Sequence, residues 1–276
     1  MTELTHDNWA RNYIANLYDG KIEEAFKHKI ESIPNKLYKF QPYEDFRLDS
    51  REASKIYLSS PKEFNDAFDT KGIHYSEEFL RKLYSENDIR ISFEQFSVGI
   101  EKIINNFYEH SGISCFSEEL FNFPMWGNYA DNRTGFCVEY CIKDDNISNI
   151  YFERFYPVIY LDKKFNFEKI LEVLLPKIFN DEVIPQSVVI LLFSLLGSIK
   201  HNSWSYEKEW RYIIPEKFKE QDFPFKVKAI YVGDKFDKDN YDRMIGIAKK
   251  LNCELYQMTP PRHFDKRFTF IPQRIF

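Results

Sequence analysis

Glycine is scarce in this chain, and no glycine-rich phosphate loop occurs. There are 9 glycines in 276 residues, with neither a G-x-G-x-x-G fingerprint nor a Walker-type run, so nucleotide binding of the common kinds is disfavoured. Cysteine is also sparse: the 4 cysteines show no paired spacing of the zinc kind. Cys137 and Cys141 lie four apart on one expected strand, too far along it to bridge easily. These spacings argue against both a disulfide framework and a structural metal site. The 6 histidines are scattered, so no metal ligand set is expected, and no nucleophile elbow is present. The most apolar run, residues 188–199, is 12 residues long, against the roughly 20 that a membrane-spanning helix needs. The polar N-terminus lacks the charged-then-apolar pattern of a signal peptide. A cytoplasmic chain with no membrane partner is the expectation.

Positive charge is in deficit as well. With 38 Lys and Arg against 43 Asp and Glu, the formal net charge is -5, which gives no global field for generic duplex binding. Aromatic residues are plentiful, with 27 Phe, 18 Tyr and 4 Trp. They suffice for a large core and could also line a pocket for a flat ligand.

Apolar periodicity predicts a helical segment over residues 1–33, broken near Asp19-Gly20, and one α+β domain over 34–276. Within that domain, residues 76–110 and 167–199 read as a helical cap, and 239–250 as an amphipathic helix. Strands are predicted over 37–40, 55–59, 113–116, 136–141, 158–161, 206–214, 226–232 and 253–258, the last as an edge strand. The fold class is therefore α+β: a mixed, mostly antiparallel sheet flanked by helices.

Two stretches concentrate polar chemistry. In the first, residues 112–140, a strand-like run ends in Ser117. A Pro-led pair of helical turns then places Trp126 and Tyr129 or Ala130 on one side, and a second strand opens at Gly135. The second stretch, 204–211, reads as turn then strand, with Glu207, Glu209 and Arg211 on one face. If that face lines a cleft, Arg211 keeps the carboxylates ionised and one Glu can polarise a hydroxyl or stabilise a cationic centre. A solvated charged face is the alternative. Ser60, Pro61 and Glu63 have the form of a helix start, so one turn presents Asn65 and Asp66, either as turn formers or as a loop held against a ligand.

After L-Y-K-F at 37–40, three strings follow in order: S-P-K-E-F-N-D at 60–66, M-W-G-N-Y-A-D-N-R-T-G-F-C at 125–137 and W-S-Y-E-K-E-W-R at 204–211. Together they resemble the bacterial family known as domain of unknown function 2971, over roughly residues 36 to 235. A second resemblance is to the ADP-ribosyltransferase fold. It rests on a short strand carrying Lys39, a strand ending in Ser117, a helix with Tyr129 and Ala130, a strand opening with Gly135, and a late Glu207-x-Glu209. Lys39 stands where that fold has Arg or His, and Ser117 is not in a Ser-Thr-Ser run.

This resemblance implies an ADP-ribosyltransferase-like core with helical N-terminal and central insertions. It also implies NAD as a substrate, an acceptor that is a protein or nucleic acid, and, by analogy, a toxin or antiphage defence role. In such a site Glu209 would hydrogen-bond a ribose hydroxyl and stabilise an oxocarbenium-like transition state, Glu207 would orient the acceptor, and Ser117 would complete the catalytic set. Trp126 or Tyr129 would stack on a nicotinamide or base ring, and Lys39 or Arg211 would meet a phosphate. Tyr38, Asn65 and Asp66 complete the cofactor-binding set. Two rival readings stand beside it. One is a non-catalytic module that binds a nucleotide or nucleic acid through the aromatic cleft and the basic-aromatic tail at 262–268. The other is a metal-dependent hydrolase or nuclease using Asp66, Glu207 and Glu209.

Overall fold

Eight segments of alternating side chains pair into one sheet in a computed structural model. It describes residues 12–276 apart from 14, 17–18, 20, 88, 144–146, 180–191, 193–194, 215–219, 262, 264–265 and 267. The strands are β1 (Lys36–Gln41), β2 (Gly112–Ser117), β3 (Phe136–Cys141), β4 (Phe155–Pro157), β5 (Glu209–Ile214), β6 (Lys226–Val232), β7 (Glu254–Thr259) and β8 (Ile271–Arg274). Their spatial order is β8-β7-β6-β3-β1-β2-β5-β4. Every neighbouring pair is antiparallel except β6–β7. A parallel pair needs a crossover, and the helix Tyr241–Leu251 supplies it. That helix buries Met244, Ile247 and Ala248 on one stripe and stops at Asn252, whose φ of 51° is left-handed.

The expected mixed, mostly antiparallel sheet flanked by helices is present, with two corrections at its margins. The predicted strand over 253–258 is not an edge, because β8 pairs with it. Pro272 lies within β8 and hides it from a pattern search, yet proline is tolerated on an outermost strand. The predicted strand over 158–161 forms as Ile159–Leu161 but outside the large sheet, pairing in parallel with Ile199–His201, while the unpredicted β4 just before it joins the large sheet. Residue 199 is therefore strand and not the end of a helix. The middle of the cap expected over 167–199, the first part of the helical segment expected over 1–33 and most of the basic-aromatic tail lie outside the described residues.

Of the helical cap predicted over 76–110 and 167–199, the helices Glu77–Glu86, Phe93–His110 and Glu168–Phe179 form. Ser92 caps Phe93–His110 reciprocally with Gln95, and Ser76 caps Glu77–Glu86 by accepting from the Phe79 amide at 3.1 Å. Glu168–Phe179 follows. No described helix is long and apolar enough to cross a membrane.

Strand register sorts the candidate residues onto two faces. Glu209 lies opposite Ser117, Ser117 opposite Tyr38, and Tyr38 opposite Glu139, so these four form one row on one face. The next row, with Trp210 opposite Phe116 and Lys39 opposite Val138, points the other way. That second face carries the largest core, including Leu37, Val138, Tyr140, Trp210, Tyr212 and Leu255. Each such side chain contributes about 1.5–3 kcal/mol by leaving water. On the first face, Phe40, Trp126, Cys137 and Tyr231 pack at one end, and Phe107, Ile113 and Ile213 at the other. Polar groups occupy the gap between these two apolar clusters.

Gly135 is required where the first polar stretch turns into β3. A Cβ there would lie 2.3 Å from the Gln41 carbonyl oxygen and 2.9 Å from that of Ala130. Three successive left-handed residues, Asp131, Asn132 and Arg133, bring the chain into that turn.

Candidate active site

The segment before β5 is not a strand, which corrects the reading of residues 206–214 as continuous. His201 accepts the Ser203 amide through Nδ1 at 3.2 Å and starts a 3-10 turn over Asn202–Glu207, and Lys208 then adopts a left-handed φ of 44°. Glu207 thus ends a helical turn, and Glu209 opens the strand. The two carboxylates still converge, because Lys200 binds both. Its Nζ donates to Glu207 Oε2 at 2.6 Å and to Glu209 Oε2 at 3.2 Å, and it lies 3.4 Å from Asp69 Oδ2.

Arg211 closes the other side of the cluster. Its Nε and Nη2 donate to the two oxygens of Glu209 at 2.8 and 3.1 Å. Nη1 and Nη2 donate to the two oxygens of Asp69 at 2.7 and 2.8 Å, and Nη1 also reaches the Gly197 carbonyl at 2.7 Å. A guanidinium has five N–H groups, and all are used. Arg211 is fully buried and has no donor left for a phosphate.

These contacts divide the two glutamates electrostatically. Burial works to raise the Glu209 pKa, but Arg211 and Lys200 outweigh it and hold this carboxyl well below the usual range. Glu207 lacks the arginine. Burial and then the charge of Glu209 push it up to about 7, while Lys200 and the Tyr129 hydroxyl pull it partly back. Tyr129 Oη donates to Glu207 Oε1 at 2.5 Å; burial and then Glu207 drive the phenol far above its ordinary pKa, so it remains a donor. For Lys200, burial opposes the charged form, yet Glu209, Asp69 and Glu207 together keep it a cation.

Other predicted residues have structural duties. Ser117 Oγ donates to the Glu207 carbonyl at 2.7 Å and accepts the Glu119 amide at 3.1 Å, fixing the backbone that presents Glu207. Trp126 is fully enclosed, its Nε1 donating to the Leu120 carbonyl at 2.8 Å and its ring edge-on to Phe40, so no face is open for stacking. Half-buried Tyr38 stands in the same row beside Glu139, and burial followed by that carboxylate pushes its pKa up to about 12. Lys39 lies on the opposite face, donating to Ser114 Oγ at 2.6 Å and to the Cys115 carbonyl at 3.3 Å. Asn65 is exposed, and Asp66 accepts the Phe68 amide at 2.9 Å as a turn former.

Two members of the cluster escaped the sequence reading. Asp69 comes from the same loop as Asp66, three residues further on, and nothing in its spacing distinguishes it. Lys200 had a visible signal: it directly follows the most apolar run of the chain, where a cation is placed to end up buried with partners. Around Glu207 the half-buried Tyr129, Trp204 and Tyr206 offer aromatic surface. The Trp204 and Tyr206 rings are 6.0 Å apart, and Lys200 Nζ sits 4.8 Å from the Trp204 ring centre. Among the described residues no group of three or more His, Cys, Asp or Glu is arranged to hold a metal ion.

Fold and site together define an α+β protein whose large sheet carries a buried cluster of three carboxylates, a lysine and an arginine. A family model described as "Protein of unknown function (DUF2971)" matches residues 125–212. The match supports the resemblance drawn from the strings at 125–137 and 204–211, over about a third of the chain. It spans Tyr129, Lys200, Glu207, Glu209 and Arg211 but not Asp69, Ser117 or Lys39. No curated protein and no solved structure matches the chain.

Proposed function

We propose that this protein is an ADP-ribosyltransferase-like enzyme that uses NAD to modify a macromolecular target, with Glu207 as the carboxylate that meets the reacting groups. The observation that carries the reading is the division between the glutamates. One is locked as an anion by arginine, and the other has a pKa of about 7 between a phenol and a lysine. A general base is most effective when its pKa lies near the working pH.

When the bond between nicotinamide and ribose breaks, its electron pair leaves with nicotinamide, which becomes neutral, and positive charge develops at the ribose carbon. The anionic Glu207 and Glu209 stabilise that charge. An acceptor oxygen or nitrogen then bonds to the carbon, and its proton passes to Glu207. Tyr129, Trp204 and Tyr206 are the aromatic faces for the nicotinamide or base ring. In this assignment Glu207 takes the position in which the resemblance would put Glu209, because Arg211 and Lys200 hold the Glu209 carboxyl well below the usual range and so make it a poor proton acceptor. A toxin or defence role would follow from transfer to an essential acceptor.

Nicotinamide release from NAD, measured in the presence of chelator, tests the proposal. Release should occur in the wild type and fall by about 10²-fold or more in Glu207→Gln with an unchanged circular dichroism spectrum. NAD binding without release would move the protein to the binding-module class, and full turnover in Glu207→Gln would remove Glu207 from the chemistry.

A further inference from the structure

A second polar feature lies on the sheet face opposite the carboxylate cluster. There a cavity of about 310 Å³ is lined by Arg51, Lys55 and Lys226, with Tyr140, Phe223 and Phe225 among its apolar walls, and no carboxylate lines it. This volume falls at the small end of the roughly 300–1,000 Å³ typical of ligand pockets.

Arg51 is its distinctive element. The residue is 4% exposed, its Nη1 donates to the Tyr140 hydroxyl, and its Nε and Nη2 have no hydrogen-bond partner. Nε and Nη2 form one edge of the guanidinium, the edge that grips two oxygens of an oxyanion side by side. Buried N–H groups of a cation are costly to leave unpaired, so a side chain held this way is matched to an acceptor.

Half-buried Lys55 and exposed Lys226 add two charges to the same cavity. Three cations with no lining acid favour a dianion over a monoanion. A phosphate monoester meets that condition, carrying about −1.5 to −2 at pH 7. The buried rings of Phe223 and Phe225, 4.7 Å apart, supply an apolar floor for the group the phosphate is attached to.

We infer that this cavity is a binding site for a phosphate monoester of a small apolar or aromatic group, separate from the Glu207 site. The phosphate sits on the Nε/Nη2 edge of Arg51 between Lys55 and Lys226, and the organic group lies against the phenylalanines.

Isothermal titration of the full chain with phenyl phosphate, inorganic phosphate and phenol tests the assignment. Phenyl phosphate should bind most tightly of the three, and its affinity should fall at least tenfold in Arg51→Gln and in Lys226→Glu. Lys226 is exposed, so the second variant keeps the test intact if the first fails to fold. Glu207→Gln should bind phenyl phosphate as the wild type does. Absence of phenyl phosphate binding, equal affinity in Lys226→Glu, or phenol or inorganic phosphate binding as tightly as phenyl phosphate would each overturn the inference.

Discussion

Lys39 is a cation placed in the core with a hydroxyl and a carbonyl as its partners, and that placement sets a pH dependence of stability. Burial lowers its pKa from 10.5 to about 7. Each unit is worth about 1.4 kcal/mol, so below pH 7 the charged side chain costs the folded state on the order of 4–5 kcal/mol relative to a neutral amine. Above pH 7 the folded protein releases this proton while the unfolded chain keeps it until about 10.5. The unfolded state then binds more protons, and stability rises with pH across that window.

Lys39→Met keeps a long unbranched side chain and removes the titration. Urea unfolding of both proteins at pH 6 and pH 9 isolates this group, since every other titration is common to the pair. The free-energy difference between wild type and variant should move by about 2–3 kcal/mol in favour of the wild type on going from pH 6 to pH 9. A difference that stays constant, or moves the other way, would refute the account of Lys39 as a buried cation whose charge is sustained only at low pH.

The rate of nicotinamide release should rise with pH through about 7 as Glu207 ionises, then level off. In Tyr129→Phe, which loses the hydroxyl that favours the ionised carboxyl, the limb should shift to higher pH; an unmoved limb would detach Tyr129 from Glu207. Asp69→Asn leaves the buried Arg211 short of a counter-charge and should destabilise the fold by about 3–5 kcal/mol in urea melts, whereas a change under about 0.5 kcal/mol would show that Asp69 is dispensable to the cluster. Ser92→Ala removes the hydroxyl that accepts the Gln95 amide and should cost about 1 kcal/mol, read as a lowered thermal midpoint; no shift would mean that the helix start is fixed by packing alone.

The fold was legible where a single period runs unbroken. Phe136, Val138 and Tyr140 alternate with Cys137, Glu139 and Cys141, and they form a central strand. Phe96, Ile100 and Phe107 share a helical stripe, and they are buried. Legibility ended where tertiary pairing overrides pattern. No strand is predicted over residues 271–274, which include Pro272, yet they pair with β7. Lys208 looked like any strand residue, but its left-handed backbone separates a helical turn from β5. For the site, spacing found Glu207, Glu209 and Arg211 because they are neighbours in the chain. Spacing could not find Asp69, whose partner lies 142 residues away. Nor could it tell that Trp126 packs inward, since an aromatic on a short helix satisfies core and pocket patterns equally.

The distance between those partners has a consequence for how the molecule comes into being. Arg211 joins Asp69 across 142 positions, Tyr129 meets Glu207 across 78, and Ser117 reaches the Glu207 carbonyl across 90. Contacts of such separation demand that long loops be closed first, so they form late in folding. A nascent chain holding the loop, the aromatic helix and even β2 still lacks Lys200, Glu207 and Arg211. The carboxylate, lysine and arginine cluster is therefore assembled only with the finished fold, and an unfinished chain carries some of its parts without the whole.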